Sequence, residues 1–524
     1  MFVYLLIYLY FQLKIPFVIF LSAGLNKLHS SQNKHIINKD YRFLDYLSII
    51  DFVLFVILSF QKKEGVFLIM EKFFKLEEHG TTKSTEIIAG ITTFLSMVYI
   101  LAINPNLLSA AGMDPGAVFT ATVVSAIIAT LFMAFFANYP IALASGMGLN
   151  AYFSFSVCIP MAKAGIQDPW KIALAAVLAE GIIFVLLSLT NFREKLVNDV
   201  HSNLKYGITA GIGLFIMLVG LKGAGIVIGS DATLVDLGAV STPQFVLAIV
   251  GFIIICSMVH RNIPGAVLWG ILITWGLGMI AELIGWYHVD PDAGAFSLIP
   301  SAIISLPSMP HFAEFNFSWI AKNIIEFAVI TFSFLFVDLF DTVGTLIGVA
   351  SKGNLLDENG NLPNAKGALL ADAFGTILGA LLGTSTVTSY VESSAGVAAG
   401  GRTGMTAVTT AFMFFLALFF SPVFLAIPGF ATAPALIYVG LLMVSSVKNI
   451  DFESDIADTA AAFCAITFMP FTYSIANGIM FGMIVWVILK VICGKAKEIS
   501  AVMWISFGLF ILRLITLATG IGFH

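Results

Sequence analysis

Long apolar runs separated by short polar breaks set the pattern of this chain. A helix needs about 20 mainly apolar residues to cross a bilayer. Runs of that kind lie near 85–105, 117–137, 172–190, 206–222, 243–259, 263–285, 323–348, 404–420, 431–446, 457–473 and 476–493. Three weaker apolar segments, 140–158, 367–382 and 385–400, bring the expected total to about fourteen crossings. Glycine and hydroxyl residues interrupt the first and last of these three, as in Ala144-Ser145-Gly146-Met147-Gly148 and Gly383-Thr384-Ser385-Thr386.

The pattern also repeats. Ile91-Thr92-Thr93-Phe94-Leu95 opens the first crossing, and Val329-Ile330-Thr331-Phe332-Ser333 falls within the eighth. Gly116-Ala117-Val118 starts the second and Gly367-Ala368-Leu369 the ninth. Each pair is followed, in corresponding order, by one of the two interrupted segments. Seven crossings per half is an odd number, so the second half enters from the opposite side. The expected fold is an all-α polytopic membrane protein of two inverted seven-helix repeats, 70–285 and 286–493. Two Gly-interrupted segments at matching positions of such halves point to a transporter's midplane binding site.

Loop charge sets an orientation. If the first crossing begins in the cytoplasm, the inner loops hold Arg193, Lys195, Lys205, Arg261, Lys352, Lys366, Arg402, Lys448, Lys490, Lys495 and Lys497. The outer loops then hold Lys163, Lys171, Lys222 and Lys322. This positive-inside bias supports that orientation, with both termini expected in the cytoplasm; the expected location is the plasma (inner) membrane. Two regions fall outside the plan. Within the C-terminal segment 494–524, the apolar run 500–521 carries Arg513 and is expected to lie as a helix in the interface. Residues 1–69 break the pattern and are expected to be a translated leader or an extra N-terminal segment, with the natural start at Met70. Lys62-Lys63-Glu64-Gly65 can be encoded by a purine-rich run resembling a bacterial ribosome-binding site.

Composition changes the picture by what it excludes. Of 524 residues, 59% are hydrophobic and 11% charged, whereas a soluble domain carries about 25% charged residues. Surface shrinks too slowly with mass for a water-soluble fold to hide so much apolar area. A formal net charge of −5 offers no basic face to nucleic acid. Cys158, Cys256, Cys464 and Cys493 show neither metal-ligand spacing nor a disulfide framework. Paired histidines and a nucleophile–base pair are also lacking. The chain reads as a secondary transporter, not an enzyme, with no metal and no cofactor.

The chemistry sits in a few polar residues of the apolar spans. A carboxylate inside the bilayer costs at least ~2.5–3.5 kcal/mol on insertion scales and marks a functional site by default. The eighth crossing holds two, Asp338 and Asp341; their i, i+3 spacing puts them on one helical face. The interrupted segment of the second half supplies Glu392, and the matching segment of the first half supplies Asn150. Blander roles compete. Asp341 could orient Asp338 or accept from Thr342 and Thr345; Glu392 could cap a half-helix; Asn150 could join two helices. Asp372, Glu180 and Glu282 read as structural. Phe336, Phe340, Tyr152 and Phe153 are neighbours of the polar residues.

These segments resemble a known family. Gly146-Met147-Gly148-Leu149-Asn150-Ala151-Tyr152-Phe153, Asp338-Leu339-Phe340-Asp341-Thr342-Val343-Gly344-Thr345 and Thr384-Ser385-Thr386-Val387-Thr388-Ser389-Tyr390-Val391-Glu392-Ser393 look like the signatures of the nucleobase–cation symporters of the xanthine/uracil permease superfamily. In particular they resemble the AzgA-like adenine/guanine/hypoxanthine permeases. Gly207 to Phe215 and Pro470 to Ile475 add support, and the resemblance runs from about Met70 to the C-terminus. It implies a core domain of helices 1–4 and 8–11 and a gate of helices 5–7 and 12–14. Helices 3 and 10 would each begin with a short extended stretch. It implies a purine bound by Asn150, Asp338, Asp341 and Glu392, with Gly148 in the same set. Asp338 and Glu392 would also couple transport to a proton, since burial favours the protonated acid. The expected partners are a purine nucleobase, a proton and the lipid bilayer, with a homodimer allowed. An anion channel or exchanger on the same architecture is the alternative. Such a protein would want half-helix N-termini without acids, which the Asp338 and Glu392 positions argue against.

Overall fold

The computed structural model describes residues 72–189, 202–230, 233–263, 265–289, 297–356, 362–453 and 455–519, all within the unit Glu71–His524. The expectations for residues 1–69 and for Arg193 and Lys195 lie outside the described residues. What is described is mostly helix, and ten helical spans are long and apolar enough to cross a membrane.

Local chemistry sets the helix boundaries. Helix α1 (Lys83–Met97) starts at Thr82, whose hydroxyl accepts from the Thr85 amide, and continues after a short break as α2 (Ile100–Ser109). Asp114 caps α3 (Pro115–Phe132) by accepting from the Ala117 amide at 2.7 Å. Proline at the first helical position suits that start, because its missing N–H has no partner there anyway. A π-helical turn, Met133–Ala137, ends α3 at Asn138 in the left-handed region.

The interrupted segment 140–158 resolves into strand β1 (Leu143–Ser145), the short helix α4 (Met147–Ala151), a π-helical stretch Tyr152–Cys158 and α5 (Ile159–Lys163). Then come α6 (Pro169–Leu189) and α7 (Ser202–Gly223). An exposed hairpin of β2 (Val227–Ser230) and β3 (Leu234–Leu237) leads to α8 (Pro243–His260) and α9 (Ala266–Leu283).

The second half opens with α10 (Phe317–Lys322), α11 (Ile324–Lys352) and α12 (Ala365–Leu382). The other interrupted segment forms β4 (Val387–Ser389) and α13 (Ser393–Ala398). The chain closes with α14 (Gly404–Ala417), α15 (Ser421–Leu425), α16 (Gly429–Val444), α17 (Ile456–Phe471), α18 (Ile475–Ile492) and α19 (Ala501–Thr519). The described part of the apolar run at 500–521 is helical over Ala501–Thr519. Its buried stripe, Met503, Ser506 and Phe510, faces α11 and α18, and the Phe510 ring meets Phe332 at 5.6 Å.

The helices pack in two groups. In the first, α1 and α3 pack on α14, α6 and α3 on α12, and α6 on α11. In the second, α7 packs on α16 and α17, α17 on α18, and α8 on α9 and α16. Lipid tails are as apolar as leucine, so packing in a membrane depends on close backbone approach and small residues. Gly211 of α7 shows the reason: a Cβ there would sit 2.6 Å from the Ala465 carbonyl of α17.

Candidate functional site

Two strands from distant parts of the sequence meet inside the first group. Strand β1 pairs antiparallel with β4, with Leu143 opposite Ser389, Ala144 opposite Thr388 and Ser145 opposite Val387. The Gly146 amide donating to Thr386 and the Tyr390 amide donating to Ala142 extend the ladder at both ends. Each strand is completely buried, so polar groups of neighbouring helices must serve its outer backbone. On α3, the Thr130 hydroxyl donates to Leu143 O at 3.1 Å and accepts from Leu143 N at 2.9 Å. On α12, Thr376 donates to Val387 O at 3.1 Å. The Asp372 carboxylate accepts from the Ser389 amide at 3.0 Å and its hydroxyl at 3.2 Å.

This two-stranded seam brings the expected residues together. Asn150 is buried on α4; its amide donates to Ser145 O at 3.4 Å, and its Oδ1 accepts a short hydrogen bond from Ser385. Glu392 stands just before α13 and accepts a short hydrogen bond from the Tyr99 hydroxyl, which comes from the break between α1 and α2. No side-chain cap is formed at that helix start. Glu392 nevertheless occupies the N-cap position of α13, the position weighed for a charge that caps a half-helix.

The two aspartates of α11 do different things. Asp338 is fully buried and accepts from Thr342 at 3.0 Å. The same Thr342 hydroxyl lies 2.9 Å from Asp372 Oδ2 and 2.8 Å from the Thr388 hydroxyl of β4. Asp341 is partly exposed and lies within electrostatic reach of Glu392 and Asp372. The hydroxyl bond imagined between Thr342 and Asp341 is made by Asp338 instead, because i and i+4 stack more directly along a helix. Gly148 lies where α4 meets α7: a Cβ there would come within 3.0 Å of Ile212 Cγ2. Its position is thus a close-approach point between the two packing groups.

Several residues of this site were passed over in the sequence. Glu180 and Asp372, read as structural, belong to the same buried acidic cluster: Glu180 accepts from Thr386 at 2.8 Å, three residues before Ser389. The rule that flagged Asp338, a carboxylate in an apolar span, applies equally to both. Tyr99 and Ser385 carried no such signal, being an aromatic and a hydroxyl in segments full of both. Tyr390 donates to Ser145 O at 2.5 Å, tying the residue after β4 to the end of β1. Glu282 serves elsewhere, accepting from the Ser297 hydroxyl at 2.7 Å and the Leu298 amide at 2.8 Å. Among the described residues no group of His, Cys, Asp and Glu is arranged to hold a metal ion. A cavity of about 560 Å³ opens between the groups, lined by Phe155, Lys163, Lys222 and Tyr473 among others. None of the acids lines it, so the chemistry and the open space are separate in this conformation.

Comparison with known proteins fits this geometry. The family model described as "Permease family", that of the xanthine/uracil permeases, matches residues 84–481. The chain belongs to that family. It is a multi-pass membrane transporter and not an enzyme. Adenine permease AdeP of Escherichia coli (strain K12) is 41% identical over 446 residues, covering 85% of this chain and 96% of that protein. Guanine/hypoxanthine permease PbuO of Bacillus subtilis (strain 168) is 44% identical over 449 residues, covering 85% and 100%. Among solved structures, the transmembrane domain of the cyanobacterial bicarbonate transporter BicA aligns with a TM-score of 0.56 at 16% identity. That alignment covers 75% of this chain and 97% of that domain, a likeness of fold alone.

Proposed function

We propose that the protein imports purine nucleobases by proton symport. Two inverted seven-helix repeats, about fourteen crossings, would work by alternating access in the plasma (inner) membrane. The first packing group is the core and the second the gate. The observation that carries the reading is the acidic seam. Asn150, Asp341 and Glu392 lie around the paired strands β1 and β4, in a chain 41–44% identical to permeases named for adenine and for guanine/hypoxanthine. The matched hydroxyl clamps of Thr130 and Thr376, one on each strand, support the inverted repeat.

The roles follow from hydrogen-bond chemistry. A purine presents ring N–H donors, which ionised carboxylates accept strongly, and carbonyl or ring-nitrogen acceptors, which the Asn150 amide satisfies. Glu392 and Asp341 take the donors, while Asp338 and Glu392 exchange the coupling proton. Gly148 keeps α4 close to the gate helix α7.

The test is uptake of labelled hypoxanthine into proteoliposomes, competed by adenine, guanine, xanthine, uracil and bicarbonate. Purines compete and bicarbonate does not; a protonophore collapses uptake, and replacing sodium by potassium leaves it unchanged. A strict sodium requirement overturns symport with protons. Bicarbonate flux without purine flux favours the anion-exchanger reading, which the fold likeness to BicA invites but the acids at the seam oppose.

A further inference from the structure

We propose that the cavity between the two packing groups is a second purine site, where Lys163 and Lys222 hold an oxopurine by its carbonyl oxygens before it reaches the acidic seam. The proposal rests on the purine-transport reading above and adds to it a class of base, those with a carbonyl group.

The cavity suits a small flat molecule. Its volume, about 560 Å³, falls within the roughly 300–1,000 Å³ typical of ligand pockets. Both packing groups build it. Phe155 and Lys163 come from the first, on the π-helical stretch and at the end of α5. Lys222 of α7 and Tyr473, in the turn between α17 and α18, come from the second. The Phe155 and Tyr473 rings meet edge to face with centroids 5.7 Å apart, and Phe215 backs Tyr473 at 5.4 Å. Two backbone features set this aromatic floor apart. Phe155 lies in a seven-residue π-helical stretch, a rare form found often at functional sites. Tyr473 is held at φ 52°, in the left-handed region, and strain of that kind gathers at ligand clamps and persists only where packing enforces it.

Charge selects the ligand. Lys222 Nζ stands 4.7 Å from the Tyr473 ring centroid, which fixes the long side chain at the cavity wall. Among the described residues neither lysine forms an ion pair, and no acid lines the cavity. A cleft with low-dielectric walls and one sign of charge focuses its field and concentrates ligands of the other sign. An ammonium group has three donors and no acceptor, so it pairs with carbonyl oxygens or with the negative charge of a deprotonated base. Hypoxanthine, guanine and xanthine offer a carbonyl oxygen; adenine offers ring nitrogens alone. The seam makes the converse demand, since its acids take N–H donors. The two sites are joined by one stretch of chain, for Phe155 follows Asn150 by five residues (155 − 150) on the same helical run. In the orientation that loop charge favours, Lys163 and Lys222 lie on the outer side, where an imported base enters.

The experiment measures labelled hypoxanthine binding by equilibrium dialysis on the purified full chain. Wild type, Glu392→Gln, and Glu392→Gln combined with Lys163→Met and Lys222→Met are compared, each checked for folding by thermal unfolding in detergent. Wild type should bind two hypoxanthines, and Glu392→Gln should keep one of them at wild-type affinity. The added lysine changes should weaken that retained site about ten-fold, the low end for hydrogen bonds to a charged group, because both lysines touch water. Guanine should displace hypoxanthine from the retained site, with adenine about ten-fold poorer. A single site in wild type that Glu392→Gln weakens in full, or equal displacement by adenine, overturns the proposal and leaves purine transport intact. Failure of wild type both to bind and to take up any purine overturns the purine reading itself. If the combined variant does not fold, Lys163→Met in the Glu392→Gln background decides: an unmoved affinity at the retained site overturns the proposal.

Discussion

Two buried clusters of charge in this molecule are built on opposite principles. At the junction of α17, α18 and the turn before α19, Lys490 is almost completely enclosed and lies 2.8 Å from Asp455, 3.4 Å from Asp458 and 3.0 Å from Glu498. Lys495 adds a second contact to Asp455 at 2.8 Å, and the Trp486 indole donates to Asp458 at 2.6 Å. Opposite charges meet, and hydrogen bonds from Lys490 and Lys495 hold the Asp455 carboxyl well below the usual carboxylate range. In the seam of β1 and β4, by contrast, five acids gather: Glu180, Asp338, Asp341, Asp372 and Glu392. Hydroxyls and a backbone amide donate hydrogen bonds to them. The first arrangement is satisfied as it stands and joins helices. The second gathers like charges, which a proton or the N–H groups of a ligand would relieve. A buried charge cluster therefore signals function through the sign of the charges it gathers, more than through its burial.

Substitutions break the comparison in a fixed order. Asp338→Asn should abolish purine uptake while leaving the protein in the membrane, because it removes an acid from the seam without removing its volume. Uptake near wild-type rates alongside normal membrane levels would show that the site is placed wrongly. Lys490→Met should strike stability instead. Removing one partner of a buried ion pair leaves uncompensated charge and costs about 3–5 kcal/mol. Thermal unfolding in detergent should register that loss, with the order of competing bases unchanged in whatever protein folds. The Asp455 contribution also has a pH sign. Its folded-state pKa is depressed, so the stability it gives is present above the unfolded value and is lost as pH falls through the folded one. Acidification should therefore weaken wild type toward Lys490→Met.

Smaller effects sharpen the picture within the seam. Glu392→Gln should weaken purine binding ten- to a hundred-fold, since losing a charged hydrogen bond costs about 1.5–3 kcal/mol. Equilibrium binding of labelled hypoxanthine measures it directly. Asn150→Ala should weaken binding less and shift the preference among bases, because it leaves a purine acceptor unpaired. Tyr99→Phe provides the control: it frees Glu392 of its hydroxyl donor without touching its charge, and should change affinity by less than Glu392→Gln in the same assay.

Sequence alone determined the solvent this chain lives in. Apolar runs of bilayer length and the scarcity of charge follow from composition, and no packing arrangement can alter them. It also singled out Asp338, Asp341, Glu392 and Asn150, because a polar residue in an apolar span is conspicuous wherever the span ends up. The two glycine-interrupted segments were likewise visible as breaks in the pattern, and they became the strands β1 and β4.

Tertiary structure decided the partnerships. Leu143 and Ser389 are opposite one another although 246 positions separate them (389 − 143), and no local propensity encodes a two-stranded ladder between segments so far apart. The same holds for Tyr99 reaching Glu392 and for Ser385 reaching Asn150, where ordinary residue types acquire a role only from their neighbours. Spacing put Asp338 and Asp341 on one face, but only packing enclosed Asp338 completely and set Asp341 near Glu392. A helix fixes the angle between two side chains; what each of them meets depends on the helices packed around it.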